Sequence, residues 1–503
     1  MPTRVSSYAI VVHLEETKFS LILHGISGAL DKVGRTLGDA LLAHRGKEVT
    51  ADALGLSKDI EDRLLKRGFL TNASEEQERA ALVDLSGQLH QLDLRRKVPS
   101  FSFVPTYLCN LRCPYCFQPH SMHAGVGTYG AVISKEQIDW AFAIIDKYWR
   151  PGSLARDVGL LVDDLTEEPS DKWSVSEIGL FGGEPLMQRT LEPVHLIGQR
   201  AAARGLRVWG ITNGVELHHF ANLLGPEPGK IAELQITVDG MPHHHNKRRR
   251  GEHDADTFDR ILTNIDLALK LGTNINIRMN TDPSNVGDIA DLGAIFDSRG
   301  WVARDSFNFY CAVVTRPSGP PALNHYGLVQ RTLDEAKAGT RVSSYERSAQ
   351  TLLQRLISSS SQVAYPFTGT AHCAAESGQL MFDAQGDIYG CWEDVGRAAN
   401  RIGTYSGEGL SLDRAAVSMW LNRHPGVIAS CSRCPYALIH TSGCGSEARK
   451  HAGSIYVNEC ESFQQYFPLA LAHAYAEFER SILTTGASSP SGHESSSQVI
   501  LDN

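Results

Sequence analysis

Cys109, Cys113 and Cys116 are spaced C-x3-C-x2-C in the short segment from Thr106 to Phe117. Three thiolates on one loop can hold three corners of a cubane cluster and leave its fourth iron open. Soft thiolates suit iron–sulfur clusters or zinc, and a zinc knuckle lacking its fourth ligand is the plain structural alternative. A second group lies toward the carboxyl end: Cys373, then Gly386-x4-Cys391, then Cys431-x2-Cys434, then Cys444 and Cys460, with His440 between. Of the ten cysteines, Cys311 stands apart in an apolar run and is expected to be a small core residue. Residues 1–19 hold no apolar stretch of signal-peptide length, and no run of about 18 apolar residues occurs anywhere. A reducing, cytoplasmic location is therefore expected, where clustered cysteines bind metals or do chemistry rather than pair as disulfides.

The elements that must position these residues alternate regularly. Short β-rich runs stand at 102–106, 178–183, 206–213, 234–240, 275–280 and 307–314. Helical patterns between them include 135–148, 191–203, 256–271 and 288–299. Strands alternating with helices imply parallel pairing through right-handed crossovers. Six such units would curve into a partial (β/α)6 barrel, with ligands at the carboxyl ends of its strands. The first cysteine group directly follows the first strand, where a barrel carries its chemistry. Ahead of the barrel, YAIVVHL and FSLILH read as two strands, followed by helical patterns near 34–44 and 57–67. This suggests a small winged-helix-like α+β domain, leaving through a polar, partly helical linker (74–96). The expected organisation is 1–95 winged-helix-like domain and linker, 96–315 barrel, 316–370 bridge, 371–485 cysteine-rich domain and 486–503 disordered tail. Residues 157–171 read as an acidic surface insertion.

With Tyr115 directly before the third cysteine, the first group resembles the signature of the radical S-adenosylmethionine (SAM) superfamily. The resemblance implies that Cys109, Cys113 and Cys116 bind a four-iron four-sulfur cluster and that SAM chelates its open iron through its amino and carboxylate groups. One electron then breaks the sulfonium C–S bond and leaves a 5′-deoxyadenosyl radical, chemistry that protein side chains cannot do alone. Gly182-Gly183-Glu184-Pro185 after the second strand matches the family's GGEP motif. Its glycines would let the backbone approach SAM, and Glu184 would accept hydrogen bonds from the SAM ammonium. Asn213 in Thr212-Asn213-Gly214 and Asp239 in Asp239-Gly240 stand where family members line the SAM pocket. Arg278 and Asn280, on the fifth strand, could reach the SAM carboxylate or ribose; a turn or barrel-core role is the alternative for these positions.

The carboxyl-terminal spacing is similar to a SPASM domain, the extension that carries two auxiliary clusters in many peptide-modifying radical SAM enzymes. Its pattern has seven cysteines, and His440 stands where the fifth is expected. Transferred by position, one auxiliary cluster takes Cys373, Cys391 and Cys444, and the other takes Cys431, Cys434, Cys460 and His440. Imidazole ligation would raise the second cluster's potential, as in Rieske centres. If His440 is not a ligand, that cluster is incomplete or absent. Zinc sites are the alternative for these six cysteines.

SPASM enzymes divide mainly into maturases of ribosomally made peptides and maturases of sulfatases. The sulfatase group carries an Asp base directly after the cysteine of G-x4-C, where this chain has Trp392, followed by Glu393 and Asp394. With the amino-terminal domain resembling leader-peptide recognition domains, modification of a precursor peptide is expected. The electron donor would be of ferredoxin or flavodoxin type. Sulfatase maturation is the alternative, and a cysteine-rich zinc-binding docking protein is a further one. The net charge of −9 gives no electrostatic reason to bind nucleic acid or an anionic membrane. The basic run Lys247 to Arg250 is expected to be a solvated face, and His243, His244 and His245 an exposed turn rather than a metal site.

Overall fold

The computed structural model describes residues 3–15, 17–162, 177–251, 256–314, 323–344, 348–358, 369–485 and 500–501. Most of the acidic stretch at 157–171, much of the bridge and nearly all of the carboxyl-terminal tail lie outside the described residues. The chain divides into two compact units. One comprises Met1–Asp93, Glu346–His372 and Arg423–Asn503; the other comprises Leu94–Tyr345 and Cys373–Asn422.

The second unit is built on six consecutive parallel strands: β1 (Ser100–Val104), β2 (Glu177–Leu180), β3 (Arg207–Thr212), β4 (Ile231–Thr237), β5 (Asn274–Thr281) and β6 (Phe307–Val313). They pair in sequence order, as repeated right-handed crossovers require. The crossover helices include α1 (Lys135–Tyr148), α2 (Leu191–Ala202), α3 (Pro242–Arg248), α4 (Phe258–Lys270) and α5 (Ile289–Ser298). Helix α1 starts where the Ser134 side chain and Gln137 form a reciprocal capping box, and it buries Ile138, Ala141, Phe142 and Ile145 on one stripe.

Strand β5 shows the logic of the sheet. Ile275, Ile277 and Met279 are buried, while Asn276, Arg278 and Asn280 on the other face are half-buried. Those polar residues are laced to their neighbours. Asn276 donates to Glu233 at 2.8 Å, Asn308 donates to Asn276 at 3.3 Å, and Tyr310 donates to Gln235 at 2.6 Å.

The strand Gln379–Asp383 belongs to this sheet rather than to a separate cysteine-rich layer. It pairs in parallel with β1, and Asp387–Tyr389, Gly403–Ser406 and Gly409–Leu412 extend the sheet antiparallel beyond it. A run such as QLMFD has the apolar content of a buried strand, but nothing in its local pattern identifies a partner as far upstream as Ser100–Val104.

The first unit contains the amino-terminal domain, with a three-stranded antiparallel sheet where two strands were expected: Ala9–His13, Phe19–His24 and Leu30–Gly34. Asp31 and Lys32 interrupt the apolar pattern of the third strand, so its β character shows only through pairing. Ile500–Leu501 pairs in parallel with that third strand. The core joins Val5, Ile22, Val33, Leu41, Leu64 and Phe69. The expected linker is instead one continuous helix, Glu75–Arg96. Glu75, Glu76 and Glu78 lie in its first turn and Arg95 and Arg96 in its last, each sign placed to favour the helix dipole.

The amino-terminal domain packs directly on the cysteine-bearing carboxyl-terminal segment of the same unit. The Tyr8 hydroxyl donates to the carbonyl of Ser432 at 2.6 Å, and Lys32 pairs with Glu479 at 2.6 Å. Gly25 lies so close to Pro435 that a β-carbon there would meet the Pro435 carbonyl oxygen at 1.9 Å. Among the described residues, no helix is long and apolar enough to cross a membrane.

Candidate active site at the carboxyl ends of the barrel strands

All ten cysteines carry thiol rather than disulfide sulfur. Cys109, Cys113 and Cys116 sit half-buried on the loop leaving β1. Burial raises the thiols: that of Cys116 to about 11, those of Cys109 and Cys113 in the same direction. A metal would reverse this, because a coordinated thiol loses its proton. Among the described residues, no three cysteine sulfurs come within 4.8 Å of one another. An all-thiolate donor set on one loop fits an iron–sulfur cluster.

The GGEP turn after β2 is docked onto this loop. Glu184 N donates to Leu108 O at 2.8 Å and Gly183 N to Thr106 O at 3.1 Å. A β-carbon on Gly183 would lie 2.2 Å from Tyr107 O and 2.3 Å from Leu108 O, so only glycine fits. The glycine's close approach is to this chain's own cysteine loop.

Glu184 is fully buried, and its carboxylate accepts from Thr212 Oγ1 at 2.6 Å, Asn213 N at 2.6 Å and Leu186 N at 2.8 Å. Burial pushes its carboxyl up to about 7, and those donors work against the shift. Asn213 Nδ2 donates to Asn110 Oδ1 at 2.7 Å and stands 4.0 Å from Cys109 Sγ. The residues expected at the ends of β2 and β3 therefore converge on the cysteine loop.

Asp239, after β4, is fully buried. It accepts from the Tyr115 hydroxyl, and its other oxygen accepts from Asn280 N at 3.0 Å. Asn280 Nδ2 also reaches the Tyr115 hydroxyl at 3.3 Å, and Arg278 Nε donates to Asn280 Oδ1 at 2.8 Å. Tyr115, Asp239, Arg278 and Asn280 thus form one connected network.

Two groups set aside in the sequence belong to this site. Lys247 to Arg250 is only in part a solvated run, with Lys247 and Arg250 exposed. Arg248 and Arg249 are buried, and Arg249 Nη1 donates to the Tyr115 hydroxyl at 2.7 Å. Arg248 stacks its guanidinium over the Tyr115 ring at 5.0 Å and pairs with Asp282 at 3.3 Å. The histidines are exposed only in part: His243 is exposed and His244 half-buried, and their ring nitrogens lie within 4.8 Å of each other and of an Asp288 oxygen. They lie in α3, and His245 is fully buried, with its Nδ1 accepting from Asp239 N at 3.2 Å. Burial pulls the pKa of His245 down, keeping it neutral as that bond requires. His244 lies 2.6 Å from Asp288 Oδ2, which also accepts from Met241 N at 2.8 Å and so tethers the turn. The available signal was position: both groups follow Asp239-Gly240 at the carboxyl end of a barrel strand.

Trp392, directly after Cys391, joins an aromatic wall. Its ring meets Phe181 edge-on at 4.5 Å and Trp209 at 5.8 Å, and Phe181 stacks on Phe117 at 6.2 Å. Asp394 is buried and accepts from Asn400 at 2.9 Å. Cys311 is fully buried in β6, as a core residue should be.

Cys373 and Cys391 lie in the barrel unit, whereas Cys431, Cys434, Cys444, Cys460 and His440 lie in the other. Within that other unit, burial pushes the Cys434 thiol up to about 11, and neighbouring Cys431 and Cys460 add to the rise. Asn458 Nδ2 lies 2.9 Å from Cys460 Sγ. The His440 ring packs on Phe463 at 4.2 Å and meets His372 edge-on at 5.7 Å. Thr441, Ser442, Glu461 and Ser462 all adopt positive φ, a concentration of strained backbone beside His440 and Cys460. Arg423, fully buried, holds these loops by donating to Gly443 O at 2.8 Å, Ser442 O at 3.2 Å and Val457 O at 3.2 Å.

Residues 103–292 match the Radical SAM superfamily. Among solved structures, a hexahistidine-tagged anSMEcpe with bound AdoMet superposes with a TM-score of 0.52 at 16% identity, covering 76% of this chain and 98% of that one. Streptococcus suis SuiB bound to S-adenosylmethionine gives a TM-score of 0.44 at 14% identity, covering 91% of this chain and 98% of that one. No curated protein matches the chain.

Proposed function

We propose, from the premise that residues 103–292 are a domain of the radical SAM superfamily, that this chain cleaves SAM reductively and modifies a ribosomally made precursor peptide. The observation that carries the reading is the convergence of three half-buried cysteines on the loop after β1 with the GGEP turn after β2, joined by backbone hydrogen bonds. The superfamily's cofactors are SAM and a four-iron four-sulfur cluster; when bound, the cluster supplies the single electron that breaks the SAM C–S bond.

The chain's own groups would then act as follows. Cys109, Cys113 and Cys116 hold the cluster. Glu184 retains one acceptor position on Oε2 for the SAM amino group, beyond the bond it takes from Asn213 N. Asn213 orients the loop through Asn110. Asp239, Arg278 and Asn280 offer polar groups to the SAM carboxylate and ribose, and the aromatic wall limits entry of water.

The peptide substrate rests on the amino-terminal domain, whose antiparallel sheet resembles those that recognise a leader by strand addition. Trp392 supports peptide over sulfatase maturation. Its indole is packed against Phe181 and cannot take a proton as the Asp base at that position would. Auxiliary clusters at Cys373, Cys391 and Cys444, and at Cys431, Cys434, Cys460 and His440, are part of the same reading. So are a ferredoxin- or flavodoxin-type donor and a cytoplasmic location.

The test is 5′-deoxyadenosine formation by anaerobically reconstituted protein under reducing conditions. The wild type should form it, and the variant with Cys109, Cys113 and Cys116 all replaced by Ala should form none. Undiminished cleavage in that variant would remove these cysteines from the site.

A further inference from the structure

The segment Arg248–Gly251 is stitched to the cysteine loop along its backbone. Arg112 N donates to Arg250 O at 3.1 Å, and Leu111 and Gly251 form an isolated antiparallel bridge. This brings Arg249, 6% exposed, against the loop with its Nη1 on the Tyr115 hydroxyl at 2.7 Å. Tyr115 lies between Cys113 and Cys116 in the chain, so its bond to Arg249 places the guanidinium beside the cysteine loop. Its Nε is buried with no hydrogen-bond partner.

A buried guanidinium stays charged at any ordinary pH, so the site carries a permanent cation. Asp239 stands 4.0 Å from Arg249 and 3.9 Å from Arg248, and Asp282 stands 3.3 Å from Arg248. Arg248 has Asp282 as its closer partner, whereas Arg249 has only Asp239 at 4.0 Å, through the same oxygen that takes the Tyr115 hydroxyl bond. An isolated charge in a low-dielectric site is costly unless an opposite charge stands near. Three cysteine thiolates binding a cluster would supply it.

We propose that Arg249 is the counter-charge of the SAM cluster, a positioning residue that makes the cluster easier to reduce while clamping its loop through Tyr115. The proposal rests on cluster binding at Cys109, Cys113 and Cys116. Each reduction adds one negative charge to the cluster, and a nearby cation stabilises the reduced state more than the oxidised one. Removing the cation should therefore lower the potential.

The experiment is an EPR-monitored redox titration of the reconstituted full chain, following the reduced-cluster signal that responds to added SAM, with iron content measured alongside. Arg249→Gln should keep its iron and show an equilibrium constant for reduction about tenfold less favourable, a shift of about 59 mV for one electron. Arg249→Lys, which keeps the charge, should stay within about twofold of wild type. A wild-type potential in Arg249→Gln would overturn the proposal. So would an equal drop in Arg249→Lys, because geometry rather than charge would then matter.

Should Arg249→Gln lose its iron, the comparison passes to Asp239→Asn. That variant removes the neutralising anion and should raise the potential; an unchanged or lower value overturns the inference. If the wild type itself shows no SAM-responsive signal, cluster binding at these cysteines fails, and the counter-charge proposal fails with it.

Discussion

The Tyr107 hydroxyl, two residues ahead of Cys109, donates a 2.7 Å hydrogen bond to Asp383 Oδ2 on the strand that extends the barrel beyond β1. Both side chains are buried, so the root of the cysteine loop is pinned to a strand that enters the sheet only after the barrel is complete. Burial pushes the Asp383 carboxyl up to about 6, against the pull of Tyr107 and two backbone donors. Tyr107→Phe should cost about 1–3 kcal/mol, because it leaves a buried acceptor without its donor. The cost should be larger at pH 7.5, where the carboxyl is ionised, than at pH 5. Denaturant unfolding of wild type and variant at both pH values measures it.

Glu184 makes the site itself pH-dependent. Its folded pKa of about 7 exceeds the ordinary 4.5. The stabilisation from holding its proton is therefore complete below about pH 4.5 and lost as pH rises through about 7, a swing on the order of 3 kcal/mol. The SAM amino group needs the ionised form as acceptor, so SAM binding should tighten across that same range. Glu184→Gln should bind SAM more weakly at pH 7.5 with unchanged iron content. Its plot of log Kd against pH should be shallower than wild type by up to one unit. Calorimetric titration with SAM at four pH values decides it, and equal affinity in both proteins would remove Glu184 from the pocket.

Gly25 links the amino-terminal domain to the chain beside Cys434, because a β-carbon there would overlap the Pro435 carbonyl. Gly25→Ala must push the two backbones apart and should lower the melting temperature. If Cys434 holds an auxiliary cluster, the variant should also lose iron relative to wild type while keeping 5′-deoxyadenosine formation. Deleting the whole domain would be a harsher form of the same lesion, since Tyr8 and Lys32 bond to Ser432 and Glu479. Iron content and a melting curve of Gly25→Ala give the reading.

His440 tests the second auxiliary cluster. If it ligates iron, its neutral imidazole leaves the cluster one negative charge lighter than four thiolates would, and the potential sits higher. His440→Cys should keep the iron and lower the potential. His440→Ala should lose iron or loosen the fold, since metal binding supplies stability to a region with little apolar core. Full iron with an unaltered potential in His440→Ala would mean that Cys431, Cys434 and Cys460 use a different fourth partner.

The sequence by itself determined the parts whose physics is local. Strand and helix periodicity placed all six barrel strands to within a few residues, because alternating burial on a strand and a 3.6-residue stripe on a helix are written in consecutive residues. The spacing of Cys109, Cys113 and Cys116 was equally legible, since one short loop must carry all three. What tertiary structure decided was charge, partnership and approach between distant segments. Lys247 to Arg250 reads as a solvated run until Arg249 is found buried against Tyr115, 134 residues away in sequence. Nothing in the sequence shows that the carbonyls of Tyr107 and Leu108 fill the β-carbon space of Gly183. The third strand of the amino-terminal sheet, with Asp31 and Lys32 breaking its pattern, acquires β structure from its neighbour rather than from its own residues. Burial of a polar group depends on which segments meet around it, and that is a property of the folded chain.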